Sequence, residues 1–119
     1  MTGRVRRGRA AERIVVDLLL AKGFEILGTN VRLGPLELDV VAREGPLVVV
    51  VEVRTRGVGA YETAFESVSA VKRRRLRAAA ARLWRTLAGD PTIERVRIDV
   101  AAVDLDACPV TVELAEGLR

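Results

Sequence analysis

A chain of 119 residues, half of them apolar, has the length of one domain that buries a core without disulfides or a structural metal. One cysteine, Cys108, excludes an internal bridge, and the absence of histidine excludes imidazole-dependent chemistry, serine triads and HNH-type nucleases included. Twenty Lys+Arg against sixteen Asp+Glu give a net charge of +4 and a pI near 10.2, which favours polyanionic partners: nucleic acid or an anionic membrane surface.

In chain order, residues 1–8 are rich in arginine and glycine and are expected to be a flexible basic arm. No apolar stretch and cleavage site follow them, and no apolar run approaches the roughly 20 residues of a membrane span, so a cytoplasmic protein with no membrane partner is expected. Ala10, Ala11, Ile14, Val15, Leu18 and Leu19 recur at helical spacing and predict about four turns, stopped at Lys22-Gly23. Segments 25–32, 36–43 and 47–54 then read as three strands of an antiparallel meander with Gly/Pro punctuation between them. The third is apolar on both faces as far as Glu52, as a strand covered on both sides should be.

Residues 55–66, with Gly57, Gly59 and Tyr61, predict a mobile binding loop. A long helix follows, capped by Ser67 or Ser69, with Leu76, Ala79, Ala80, Leu83 and Leu87 on its buried face and a stop at Gly89-Asp90-Pro91. Two strands at 93–105 and 110–114 complete the order α-β-β-β-α-β-β. That order predicts one α/β domain, a central mixed sheet flanked by helices, with the third and fourth strands parallel across the long helix.

The chemistry concentrates in Asp39 and Glu52-Val53-Arg54. A turn at Glu44-Gly45 would pair residues whose numbers sum to 89 and set Asp39 diagonal to Glu52; a sum of 91 would set the two directly opposite. Either register puts both carboxylates on one face, with Cβ atoms roughly 5 to 8 Å apart, close enough to share a hard cation such as Mg²⁺ or Mn²⁺. The alternative is a salt-bridged Glu52, since a carboxylate at the end of a valine run needs a partner in either case. Lys72 projects into the apolar stripe of its helix and should meet an acidic group, unless it snorkels to solvent. Two cationic clusters, Arg4, Arg6, Arg7, Arg9 and Arg13, then Lys72, Arg73, Arg74, Arg75 and Arg77, are candidates for phosphate contacts or simply a solvated surface.

Taken together, Gly8-Arg9-Ala10-Ala11-Glu12, Ile26-Leu27-Gly28-Thr29-Asn30-Val31-Arg32, Glu37-Leu38-Asp39-Val40-Val41-Ala42 and Val51-Glu52-Val53-Arg54-Thr55-Arg56 resemble the YraN-like bacterial family. Glu66-Ser67-Val68 and Lys72 continue the likeness, which covers residues 8–103. The resemblance implies the PD-(D/E)XK nuclease-like superfamily, related to archaeal Holliday junction resolvases, and hence a restriction-endonuclease-like core. It further implies Asp39 and Glu52 as metal ligands, Glu12 as an acid facing the site from the first helix, Glu37 as the companion acid, and Lys72 as a helix lysine. Arg54 stands where the resemblance expects the catalytic lysine, and Lys72 is the candidate to supply that ammonium instead. A planar guanidinium does not replace an ammonium at a tight site.

These readings converge on a metal-dependent endonuclease for structured or branched DNA, using Glu12, Asp39, Glu52, Arg54 and Lys72, with Arg4, Arg6, Arg7, Arg9, Arg56, Arg73, Arg74 and Arg77 on the nucleic acid. The resemblance to resolvases adds a homodimer as a candidate assembly. The alternatives are a non-catalytic nucleic-acid-binding module on a degenerate nuclease scaffold and a protein-interaction scaffold.

Overall fold

The structure, a computed structural model, describes residues 3–56 and 62–119; for Arg4 only the backbone is described. Its elements are α1 (Gly3–Ala21), β1 (Glu25–Leu33), β2 (Leu36–Glu44), β3 (Leu47–Thr55), α2 (Ala70–Leu87), β4 (Arg95–Asp104) and β5 (Thr111–Ala115). The strands form one mixed sheet in the order β1-β2-β3-β4-β5, antiparallel except for the parallel pair β3–β4, which α2 connects.

The valine run of β3 divides itself between two cores. Val48 and Val50 pack with Leu76, Ala79 and Leu83 of α2, while Val49 and Val51 pack with Ala11, Val15 and Leu19 of α1. A strand covered on both faces gains from apolar residues at every position, and β3 is buried from Val48 through Glu52. The helices thus lie on opposite faces of the sheet, each fixed by side chains of alternate parity.

Local sequence sets the ends of these elements. Ser69 caps α2, its hydroxyl accepting from the Lys72 amide at 3.1 Å. α1 ends in a Schellman motif: the Phe24 amide donates to Leu19 at 3.0 Å and the Gly23 amide to Leu20 at 3.0 Å, with Gly23 at φ +93°. The start of α1 departs from expectation. Residues 3–8 continue the helix instead of forming a free arm, and the exposed Arg7 guanidinium makes a double hydrogen bond to Asp106 at 3.2 and 3.0 Å. Apolar periodicity could not reveal this turn, because its anchor is a charged contact to the β4–β5 loop.

The β2–β3 turn decides the register. Glu44 pairs with Leu47 across Gly45-Pro46, with Gly45 at φ +57°, a conformation glycine adopts without strain at the first central position of a two-residue hairpin loop. All five pairs of this ladder sum to 91, from Glu44↔Leu47 to Val40↔Val51. The turn lies one residue later than Glu44-Gly45, and of the two expected registers the one that faces Asp39 toward Glu52 is realised.

Residues 57–61, including Gly57, Gly59 and Tyr61 of the expected loop, lie outside the described residues. Its flanks are β3 up to Thr55 and a series of turns over 62–69. Among the described residues, no helix is long and apolar enough to cross a membrane.

Candidate active site

Two irregularities in the sheet build the site. The β1–β2 ladder runs through Thr29↔Val40 and Val31↔Leu38 but leaves Asn30 and Asp39 unpaired between them. Residues two apart on a strand normally share a face. Here Leu38 packs on the α2 side and Val40 on the α1 side, so the alternation breaks at Asp39. Opposite it, Asn30 takes φ +50°, which only Asn, Asp and Gly reach without substantial cost. The co-facial placement of the carboxylates therefore does not come from uninterrupted alternation along β2.

The second irregularity is the end of the β2–β3 ladder at Val40↔Val51, while β3 continues alongside β4 as far as Thr55. Where β2 leaves, the next amide of β3 that would need a partner is taken by a side chain: the Val53 N–H donates to Asp39 Oδ2 at 2.8 Å. Asp39 is thereby held at the parting of the strands, close enough to Glu52 for the two carboxyl groups to share a hydrogen bond.

Glu52 has the parity of Val48 and Val50, so it belongs to the α2 face, and it is only 3% exposed. Its Oε1 lies 3.5 Å from Lys72 Nζ of α2, the acidic partner that the inward projection of Lys72 required. Its Oε2 is buried with no hydrogen-bond partner among the described residues. Burial pushes the Glu52 carboxyl up to about 7, the neighbouring Asp39 adds to the rise, and Lys72 opposes it.

Asp99, the other buried carboxylate, is held quite differently. It accepts from Arg97 at 2.8 and 2.9 Å and from the Gly117 amide at 3.0 Å, so both its oxygens are occupied, and it ties down the C-terminal tail. Buried polar atoms are nearly always satisfied in this way. Glu52 is not, and its unfilled oxygen marks a position for a proton or a cation.

A cleft of about 330 Å³ opens onto this point, lined by Gly8, Ala11, Glu12, Asp39, Glu52, Val53, Arg54 and Thr55. α1 contributes Glu12, whose Oε2 accepts from Asn30 Nδ2 at 3.2 Å; burial raises its carboxyl, the Asn30 hydrogen bond opposes that, and Asp39 reinforces it. Arg54 is exposed at the mouth, and among the described residues it forms no ion pair with Glu52 or Asp39, the arrangement a non-catalytic scaffold would have used. Among the described residues no three Asp, Glu, Cys or His side chains converge as a metal-binding group, so Asp39 and Glu52 form a two-carboxylate site with Glu12 across the cleft.

The structure separates the expected phosphate-binding residues. Arg56 is bound to Glu113 at 3.0 Å and to the Glu62 carbonyl at 2.9 Å, fastening the segment after β3 to β5. Arg73 donates to the Val68 and Phe65 carbonyls at 3.1 and 2.5 Å, and Arg7 is paired with Asp106, so all three have partners within the protein. Glu37 lies 3.8 Å from Arg32. Arg9, Arg74 and Arg77 are exposed, as is Arg6, which has contacts within the protein. The Arg4 side chain lies outside the described residues. Asn30 was not among the expected site residues, and its only sequence signal is an Asn where the strand pattern calls for an apolar or β-branched side chain.

This fold and site define a five-stranded α/β domain with a two-carboxylate cleft at a strand parting. The chain belongs to the uncharacterised protein family UPF0102, whose model matches residues 11–103, the YraN-like family that the motifs resemble. A UPF0102 protein of Sorangium cellulosum is 49% identical over 112 residues, covering 92% of this chain and 78% of that protein. Others from Kineococcus radiotolerans and Symbiobacterium thermophilum are 40% and 37% identical, covering 93% and 83% of this chain and 91% and 82% of theirs.

Proposed function

We propose that the cleft binds a divalent cation between Asp39 and Glu52 and that the protein is a cytoplasmic phosphodiesterase acting on structured or branched DNA, on a core of restriction-endonuclease-like, PD-(D/E)XK type. The observation that carries this reading is the buried Oε2 of Glu52, without a hydrogen-bond partner among the described residues, beside a second carboxylate in a residue that lines the cleft.

The residues fit such an ion. A hard cation takes oxygen ligands, and Mg²⁺ commonly uses one or two carboxylates and leaves its other positions to water and phosphate. The carboxylates of Asp39 and Glu52 are of that kind, and a divalent charge would offset both their mutual repulsion and the desolvation that raises the Glu52 carboxyl. Bound there, Mg²⁺ or Mn²⁺ would polarise a phosphate oxygen and lower the pKa of a water.

The chain's own residues supply the rest. Lys72, paired with Glu52 from α2, would supply the ammonium that balances negative charge developing on a phosphate, a role the resemblance gives to a strand lysine where this chain has Arg54. Arg54 at the mouth offers a planar fork to a non-bridging phosphate oxygen. Glu12, its carboxyl raised by burial and held by the Asn30 amide, closes the α1 side of the cleft. Two cuts on a branched substrate would suit a homodimer.

The test is cleavage of a labelled four-way DNA junction with Mg²⁺ or Mn²⁺. Wild-type protein should cut, and Asp39→Asn and Glu52→Gln should each abolish cutting while junction binding in EDTA persists. Equal cutting by the variants would assign the activity to a contaminant.

A further inference from the structure

The strongest feature outside the cleft is the outer face of α2. The helix carries six arginines and one lysine and no acidic residue. Lys72 and Arg73 turn inward to Glu52 and to the preceding turn. Arg74, Arg75, Arg77, Arg82 and Arg85 are all exposed, and none has an ion-pair partner among the described residues. Like charges spaced three and four apart on a helix repel, and no Asp or Glu of α2 relieves them.

The arginines fall into two groups. Arg74, Arg75 and Arg77 sit near the N-terminal end, Arg82 and Arg85 near the C-terminal end, and four consecutive alanines, Ala78 to Ala81, separate them. At about 1.5 Å rise per residue the centres of the groups lie about 12 Å apart along the axis. Ala78 and Ala81 are exposed in the gap and present only methyl groups there, with the exposed Trp84 on the flank beside Ala81. The Arg82 guanidinium lies against the β1–β2 turn, where a Cβ at Gly34 would collide with it.

We infer that this face of α2 is a docking surface for B-form duplex DNA, with the two arginine groups on phosphates either side of the major groove and the alanines over the gap. The major groove is about 12 Å wide, matching the separation of the groups. An A-form RNA duplex has a deep, narrow major groove and does not match it. An anionic membrane is a poorer partner, because the centre of the face carries alanines, and the large apolar side chains that the helix exposes, Val71 and Trp84, are thirteen residues apart and form no row to insert. With no base-reading side chain in the gap, the contact is to the backbone and independent of sequence. The surface does not depend on the cleft: it would bind duplex in EDTA even if the cleft held no cation, and the cleft's chemistry would stand if this face bound nothing.

The test is fluorescence anisotropy with a 24-base-pair blunt DNA duplex in EDTA at several salt concentrations, for wild-type protein and for Arg74→Gln/Arg77→Gln/Arg82→Gln/Arg85→Gln. All four side chains are exposed, and circular dichroism melting verifies that the variant folds. Removing one arginine–phosphate pairing lowers the slope of log K against log salt by about 0.9, so the quadruple variant should bind at least about 30-fold more weakly at 100 mM salt with a slope smaller by about 3 to 4. Each pair alone, Arg74→Gln/Arg77→Gln or Arg82→Gln/Arg85→Gln, should account for about half of that change. An unchanged slope overturns the proposal. So does equal or tighter binding of an RNA duplex, or loss of binding to phosphatidylserine vesicles without loss of DNA binding.

Discussion

Lys72 Nζ and Glu52 Oε1 lie 3.5 Å apart, joining α2 to β3, the central strand of the sheet. The pair is asymmetric, with the Glu52 side chain almost wholly buried and that of Lys72 more than one-third exposed. The ammonium therefore compensates only part of the cost of burying the carboxylate, and Glu52 is held near neutrality. Most of what the cleft is expected to do follows from that imbalance.

Stability without a cation should depend on pH in a direction opposite to that of an ordinary salt-bridged carboxylate. The folded protein holds the Glu52 proton more tightly than the unfolded chain, so the contribution is fully present below about 4.5 and is lost as pH rises to about 7. The loss is on the order of 3 kcal/mol. Urea denaturation in EDTA at pH 5 and pH 8 should show this decline in wild type and little of it in Glu52→Gln. A wild-type stability that rises over this range would count against the assignment.

Cation binding should strengthen as pH rises through about 7, because the ion displaces the proton that Glu52 otherwise holds. Calorimetric Mn²⁺ titrations in buffers of different ionisation enthalpy should detect net proton release at pH 6 and much less at pH 8. Proton-independent binding would place the ion elsewhere.

Lys72→Met should lower junction cleavage by about 10² to 10³-fold, the usual scale for losing one charge-stabilising donor, while EDTA-condition DNA affinity changes little. It should also steepen the stability loss above pH 7, since Glu52 then ionises without its cation. If Arg54→Ala abolishes cleavage and Lys72→Met leaves it intact, the ammonium role belongs to the strand position after all.

Asn30 has two separable roles. Asn30→Gly keeps the φ of +50° and loses the hydrogen bond to Glu12, whereas Asn30→Val also forces a β-branched residue into left-handed backbone, at about 1–2 kcal/mol. Thermal melts should therefore rank wild type, then Gly, then Val, with cleavage reduced in both variants. A Val variant as stable as the Gly variant would remove the backbone role.

Much of the frame was legible because it is written in short-range patterns. The unbroken valines of β3 have one local physical reading, the cap of α2 was legible as one of two serines, and the parity of Lys72 in its helix led to an acidic partner. The register was legible only as two alternatives, because moving a two-residue turn by one position leaves the apolar pattern unchanged. Three features were hidden. The helical turns at 3–8 rest on Arg7 and Asp106, 99 residues apart. The break in alternation at Asp39 depends on the left-handed Asn30 across the ladder. Arg56 and Arg73 read as surface cations, yet the carbonyls and carboxylate that bind them come from folded neighbours with no sequence spacing to announce them.

The central claim, that Asp39 and Glu52 together hold a divalent cation, is tested most directly by isothermal titration of Mn²⁺ into the wild-type protein and into Asp39→Asn at pH 8, with folding verified by circular dichroism. One site per chain is expected in the wild type and none in the variant. An identical isotherm for both proteins would contradict it.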